Sequence, residues 1–229
     1  MPILMYHQVS HFSPWKVHGG VFCETRRFRS QMAYLKSAGY SVVPLLKTVN
    51  CKLKTSPISL TFDDGYQNFA DNAWPILQEF GYPATVYVLS SCIGGRAEWL
   101  KPKYEKAPLM DAATLRRLSA EGVNIGSHGR THRRLATLPL DEQRREIADS
   151  KRELEDLLGK PVNDFCYPYG SYTPDTVRLV EESGYATAVT CDRRNPCATV
   201  HTLPRLPVNY GTLLPWFAVR LKMMYSVLT

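Results

Sequence analysis

The hydrophobic pattern of this chain changes period at regular intervals. Five times an amphipathic segment runs up to a glycine and a short apolar, β-rich run follows, at 32–43, 76–89, 115–127, 153–167 and 177–190. Before each glycine the apolar positions recur at helical spacing; after it they are contiguous or alternate as in strands. A glycine just past a helix is the usual left-handed terminator. Further strand candidates lie in PILMY (2–6), SPISLTF (56–62) and TLPRLPV (202–208), giving roughly eight strands between helices. Such alternation predicts a parallel α/β barrel or a doubly wound sheet, in which chemistry gathers where strands end and loops begin. The stretch 92–108 carries glycines and aromatics without a period, and reads equally as a pocket rim or as a plain surface loop.

Composition narrows the picture. The 229 residues are 44% hydrophobic and 21% charged, ordinary for a globular protein, and nothing breaks the composition within 1–229, so one domain is expected. No apolar run approaches the roughly 20 residues that span a bilayer, and no basic segment precedes the first apolar residues. A cytoplasmic, at most membrane-peripheral, location is the expectation. The net charge of +7 favours proximity to a polyanion or membrane surface without naming a ligand. Acids and bases alternate over 133–159, which reads as a solvated helix face and not as a nucleic-acid stripe. The tail 213–229 is an apolar and basic helix, expected to pack on the body. Six cysteines are scattered with no Cys-x-x-Cys pair, which argues against a thiolate zinc site; Cys191 and Cys197 could bridge under oxidising conditions, but free thiols are the favoured reading.

Candidate chemistry starts at SLTFDDGY (59–66), where a strand runs into Asp63 and Asp64 and then Gly65. Adjacent side chains on a strand face opposite ways, so both acids serve one pocket only if the strand ends there. An Asp-rich turn is the plain alternative. At another strand end SHGRTH carries His128 and His132, which would converge on one cation if the turn were helical, or else are surface residues. One carboxylate and two histidines would form a facial set with positions open for water and substrate, and the neighbouring acid would be free to act as base.

TFDDGY, SHGRTH and FCYPYGSY resemble the first three motifs of the polysaccharide deacetylase family, also called NodB-homology or carbohydrate esterase family 4. The resemblance implies a distorted, incomplete (β/α) barrel. It also implies removal of N-acetyl groups from amino sugars of a glycan, assisted by one divalent ion, above all zinc. Carried over by position, Asp63 resembles the catalytic base, and Asp64, His128 and His132 the metal ligands. The Tyr169 amide resembles the oxyanion donor, aimed by Pro168 and Gly170. Tyr66, Trp99 and Tyr172 could stack on sugar rings or simply pack.

The chain departs from the family pattern in three places. Phe165, Cys166 and Tyr167 stand where many members carry an arginine that pairs with the base; either the base works without one or Arg205 substitutes, though a strand-end cap is the favoured reading of Arg205. The C-terminal Leu-x-His motif is missing. The opening ILMYHQV resembles that of poly-N-acetylglucosamine deacetylases, which makes His7 the candidate general acid; His201 precedes its strand and should lie at the other end of the barrel. Gly129 replaces a serine or threonine, with the expected loss of a bracing hydrogen bond and a looser site. The alternatives are deacylation or deformylation of an aminosugar lipid, and a glycan-binding module with impaired catalysis. The sequence leaves the oligomeric state open.

Overall fold

The computed structural model describes residues 2–11, 13, 16–45, 56–193, 195 and 197–226, the side chains of 225 and 226 excepted. Cys51 and the last three residues of the tail lie outside that set. Among the described residues ten strands are formed: β1 (Ile3–Tyr6), β2 (Gln8–Ser10), β3 (Phe22–Glu24), β4 (Ser41–Val42), β5 (Pro57–Phe62), β6 (Thr85–Val88), β7 (Asn124–Ser127), β8 (Asp164–Cys166), β9 (Thr187–Val189) and β10 (Leu206–Pro207). The main sheet runs β10-β1-β5-β6-β7-β8-β9, with β4 beside the first half of β5. Every pairing in it is parallel. A lone parallel bridge from Val189 to Leu203 links β9 to the segment that leads into β10, so the sheet curls into a barrel whose last seam is a single bridge and not a ladder. That is the incomplete (β/α) barrel expected.

Helices α1 (Thr25–Ser37), α2 (Trp74–Phe80), α3 (Ala112–Ala120), α4 (Leu140–Arg144), α5 (Ser150–Leu158), α6 (Pro174–Glu182) and α7 (Leu214–Ser226) cover the outside, and a wide π-helical turn, Arg145–Asp149, joins α4 to α5. The glycine terminators behave as the pattern predicts: Gly81 and Gly159 cap α2 and α5 in the left-handed conformation. No helix among the described residues is long and apolar enough to cross a membrane.

Strand periodicity separates two cores. Leu4, Tyr6, Leu60, Phe62, Val86, Ile125, Phe165 and Ala188 face the helices in one large cluster, while their neighbours Ile3, Tyr87, Cys166 and Val189 form a second, smaller one inside the barrel. The inside is partly polar. Asp164 there accepts from Thr187 Oγ1 at 2.5 Å and from Asn124 Nδ2 at 2.6 Å, and Asn124 also reaches Thr85 Oγ1 at 3.1 Å. Burial pushes the Asp164 carboxyl up despite those donors.

Gly126 makes this interior possible, because a Cβ at that position would stand 2.6 Å from the Tyr87 ring and 2.9 Å from the Asp164 carbonyl oxygen. Neither obstacle is the end of a flexible chain. Gly126→Ala should therefore cost about 2 kcal/mol of stability, read as a fall in melting temperature of roughly 4–8 °C. A variant that melts with the parent would show that the interior is not packed this way.

Candidate active site

The two aspartates stand at the C-terminal end of β5. Asp63 continues the ladder, its amide donating to the Tyr6 carbonyl at 3.0 Å, and then the backbone leaves extended geometry: Asp64 has φ 73° and Gly65 φ 71°. This left-handed step defeats the strand alternation that would have sent the acids to opposite faces. Both carboxylates line one cavity of about 400 Å³, together with His7, His128 and His132. Asp64 is not glycine, so the conformation is held under strain.

The histidine pair converges by a route different from the helical turn expected. Residues 128–132 form an irregular loop with Gly129 at φ 77° and His132 at φ 61°. The outcome is nonetheless convergence: the Nε2 atoms of His128 and His132 each lie 3.3 Å from Asp64 Oδ1. His128 Nδ1 is 2.7 Å from the Cys166 carbonyl, so it carries a proton there and turns Nε2 toward Asp64; burial would lower this imidazole, but Asp64 and Asp63 push it up. Buried Asp64 Oδ1 makes no hydrogen bond in spite of its two nitrogen neighbours. One oxygen and two ring nitrogens, all within 4.8 Å of one another, face each other without bonding. Donors about 2.0–2.2 Å from one tetrahedral ion stand about 3.4 Å apart, so the set fits a divalent cation. Burial pushes the His132 imidazole down, toward the neutral form a ligand needs, while the imidazoles hold Asp64 well below the carboxylate range against the burial that would raise it.

Arg205 proves not to be a strand-end cap. It precedes β10, yet its side chain runs up inside the barrel, fully buried, and meets Asp63 with both prongs: Nη1 to Oδ1 at 2.6 Å and Nη2 to Oδ2 at 2.7 Å. Its remaining donors reach the Thr190 carbonyl (2.9 Å), Thr61 Oγ1 (3.1 Å) and Cys166 Sγ (3.1 Å). Burial would raise Asp63, but the guanidinium overrides it and keeps the carboxyl below its ordinary value. A second candidate donor set, Asp63, His128 and Cys166, is also geometrically close. Arg205 already occupies two of its three members.

Sequence reasoning overlooked Glu146. It lies in the stretch read as a solvated face, on the π-helical turn, and is buried. Its Oε2 accepts from the amides of Arg130 and Thr131, both at 2.9 Å, and Oε1 from Thr131 Oγ1 at 2.6 Å. Ser127 Oγ, 2.7 Å from Ser150 Oγ, accepts from the Gly129 amide at 3.1 Å. The bracing expected to be lost with Gly129 is thus supplied by a carboxylate from a helix. Nothing in the order of residues announces it, since the spacing is set by packing.

His7 follows β1 and places Nε2 3.8 Å from Asp63 Oδ2, with its buried Nδ1 unpartnered. His201 bonds the carbonyl of Tyr185, just ahead of β9, through Nε2 at 2.9 Å, which puts it at the other end of the barrel. After β8, Tyr169 adopts φ 58° between Pro168 and Gly170. A Cβ on Gly170 would meet Cys191 Cβ at 2.8 Å, so the turn requires glycine. The following amides are used internally, Gly170 N to Tyr167 O at 2.9 Å and Ser171 N to Pro168 O at 3.0 Å. The irregular segment does form the cavity rim, with the Trp99 ring tilted against His132 at 4.4 Å between ring centres and Tyr66 buried behind it. Tyr172 is not brought to the cavity: its hydroxyl donates to Asp192 at 3.0 Å and its ring packs on Tyr167.

Comparison with known proteins gives the family and the fold. The polysaccharide deacetylase family profile matches residues 51–188, and the chain belongs to that family. It is similar to YxkH of Bacillus subtilis, 27% identical over 84% of this chain and 64% of that protein. Another relative is the poly-β-1,6-N-acetyl-D-glucosamine N-deacetylase of Staphylococcus epidermidis, 24% identical over 80% of this chain and 67% of the other. The chain thus spans about two thirds of the length of these relatives. Among solved structures, the Streptococcus pyogenes deacetylase PplD in complex with acetate superposes with a TM-score of 0.82 at 23% identity, covering 96% of this chain and 97% of that one. IcaB from Ammonifex degensii gives 0.81 at 21% identity over 96% of each chain. These last two establish the shared fold. His7 and Arg205 both lie outside the matched segment.

Removing the guanidinium isolates a buried carboxylate. Arg205→Met should cost about 3–5 kcal/mol in urea unfolding at neutral pH. Asp63 is depressed in the folded state, so the stability it contributes is present above the unfolded carboxylate pKa and is lost as pH falls through the folded value. The gap between variant and parent should narrow accordingly below about pH 4. Equal stability at pH 7 would contradict the pairing.

Proposed function

We propose that the chain hydrolyses N-acetyl groups from amino sugars of a glycan, with one divalent ion, zinc for this donor set, held by Asp64, His128 and His132. The observation that carries the reading is the convergence of those three donors beside a second buried carboxylate that is bound to arginine instead, within one cavity of a polysaccharide deacetylase family chain. The S. epidermidis relative's name points to N-acetylglucosamine polymers as the substrate class. Trp99 offers a ring face on which a sugar could stack, with Tyr66 buried behind it.

When bound, the ion supplies Lewis acidity that polarises the acetyl carbonyl and acidifies the attacking water. Asp63 takes the proton from that water as its oxygen bonds to the acetyl carbon. Arg205 keeps Asp63 ionised and fixes its plane, leaving the carboxylate's outer lone pairs toward His7 and the cavity. The Tyr169 amide, held in its left-handed turn, donates to the oxyanion. His7 gives a proton to the nitrogen as the C–N bond breaks, and acetate and a free amine leave.

Metal content measured together with acetate release from a panel of N-acetylated glycans tests this. The parent should bind one zinc per chain and release acetate; Asp64→Ala should lose both, and a variant retaining zinc and rate would refute the ligand assignment. Glu146→Ala keeps every ligand but frees the loop that carries His132. Its zinc affinity should fall by about 10–100-fold in a chelator competition, and parent-like affinity would remove Glu146 from the account.

A further inference from the structure

The rim of the cavity carries two positive side chains that no carboxylate among the described residues pairs with. Lys101 and Arg134 both line it and are exposed, and among the described residues neither forms an ion pair. Their neighbours differ. Arg130 pairs with Glu153, Arg133 with Glu142 and Lys16 with Glu105. The carboxylates of the cavity lining are Asp63, already neutralised by Arg205, and Asp64, which faces two imidazoles. A cation held at Asp64 would make the cavity net positive.

Arg134 is also placed with direction. Its guanidinium carbon lies 4.3 Å from the Tyr169 ring centre, that ring lies 4.3 Å from His132, and His132 lies 4.4 Å from Trp99. Stacking occupies the guanidinium face and leaves its N–H edge for a planar or tetrahedral oxyanion. That edge borders the same cavity as Asp64, His128 and His132.

We infer that the glycan cut here bears an anionic oxyacid group, a carboxylate or a phosphate, on or next to the sugar that loses its acetyl group, and that Arg134 and Lys101 bind it. This rests on the deacetylase reading for the identity of the reacting group, but not for the binding of the anion.

The test compares three N-acetylated oligosaccharides of equal length, neutral, carboxylate-bearing and phosphate-bearing, in affinity (calorimetry on the zinc-loaded protein) and in kcat/KM for acetate release. The parent should prefer at least one anionic member by about tenfold or more in both measures, less so at high salt. Which member is preferred identifies the oxyacid. In Arg134→Gln/Lys101→Gln the ratio of anionic to neutral should collapse toward one, whereas Lys222→Gln, a remote surface charge on α7, should leave the ratio in place and so separate local recognition from overall charge. Equal affinity of the parent for neutral and anionic members, or a preference untouched in the double variant, would overturn the inference. Absence of acetate release from all three with the affinity preference intact would instead refute the deacetylase reading and leave the anion site standing.

Discussion

A single buried ion pair organises this protein. The Arg205 guanidinium and the Asp63 carboxylate meet in bidentate geometry in the barrel interior, where each alone would carry a desolvation cost of several kcal/mol. The same guanidinium ties Thr190 at the end of β9 to Thr61 on β5, across the seam that the backbone closes with a lone bridge. It also decides the chemistry. By pairing with Asp63 and reaching the Cys166 sulfur, it leaves Asp64 as the carboxylate that faces the His128 and His132 imidazoles.

Backbone strain is confined to the same place. The three non-glycine residues with positive φ among those described are Asp64, His132 and Tyr169, and all three line the cavity. Each such residue costs on the order of 1–3 kcal/mol and persists because its surroundings over-determine it. The supports are visible: Glu146 grips the amides just ahead of His132, and Cys191 crowds the glycine just after Tyr169. On the proposed reading, strained but braced turns hold the candidate ligands and the oxyanion donor in position before substrate arrives.

The alternation of helix and strand, the glycine terminators and the strand-end position of the acids were legible because they follow from local periodicity. The residues around Asp64 were legible because motif spacing survives without knowledge of packing. Arg205 was named as a possible partner of the base but read in favour of a strand-end cap, and Glu146 was missed. Each acts across more than a dozen residues of chain, from a position that looks like ordinary strand flank or solvated helix, and only the curl of the sheet or the π-helical turn aims it inward. The histidine loop shows the limit from another side: i, i+4 spacing suggested a helical turn, whereas two left-handed residues achieve the convergence. Tyr172 shares its motif with Tyr169, yet an extended Ser171 turns its ring toward Tyr167 and away from the cavity.

The account's central claim is that Arg205 leaves Asp64, His128 and His132 as the donor set, and excludes Asp63 and Cys166 from it. X-ray absorption at the zinc edge of the loaded protein reads this directly, because sulfur and nitrogen or oxygen neighbours differ in distance, about 2.3 Å against 2.0–2.2 Å. The account predicts a shell of nitrogen and oxygen alone, with the outer-sphere signature of two imidazoles. A sulfur neighbour at zinc, or a shell with one imidazole, would contradict it.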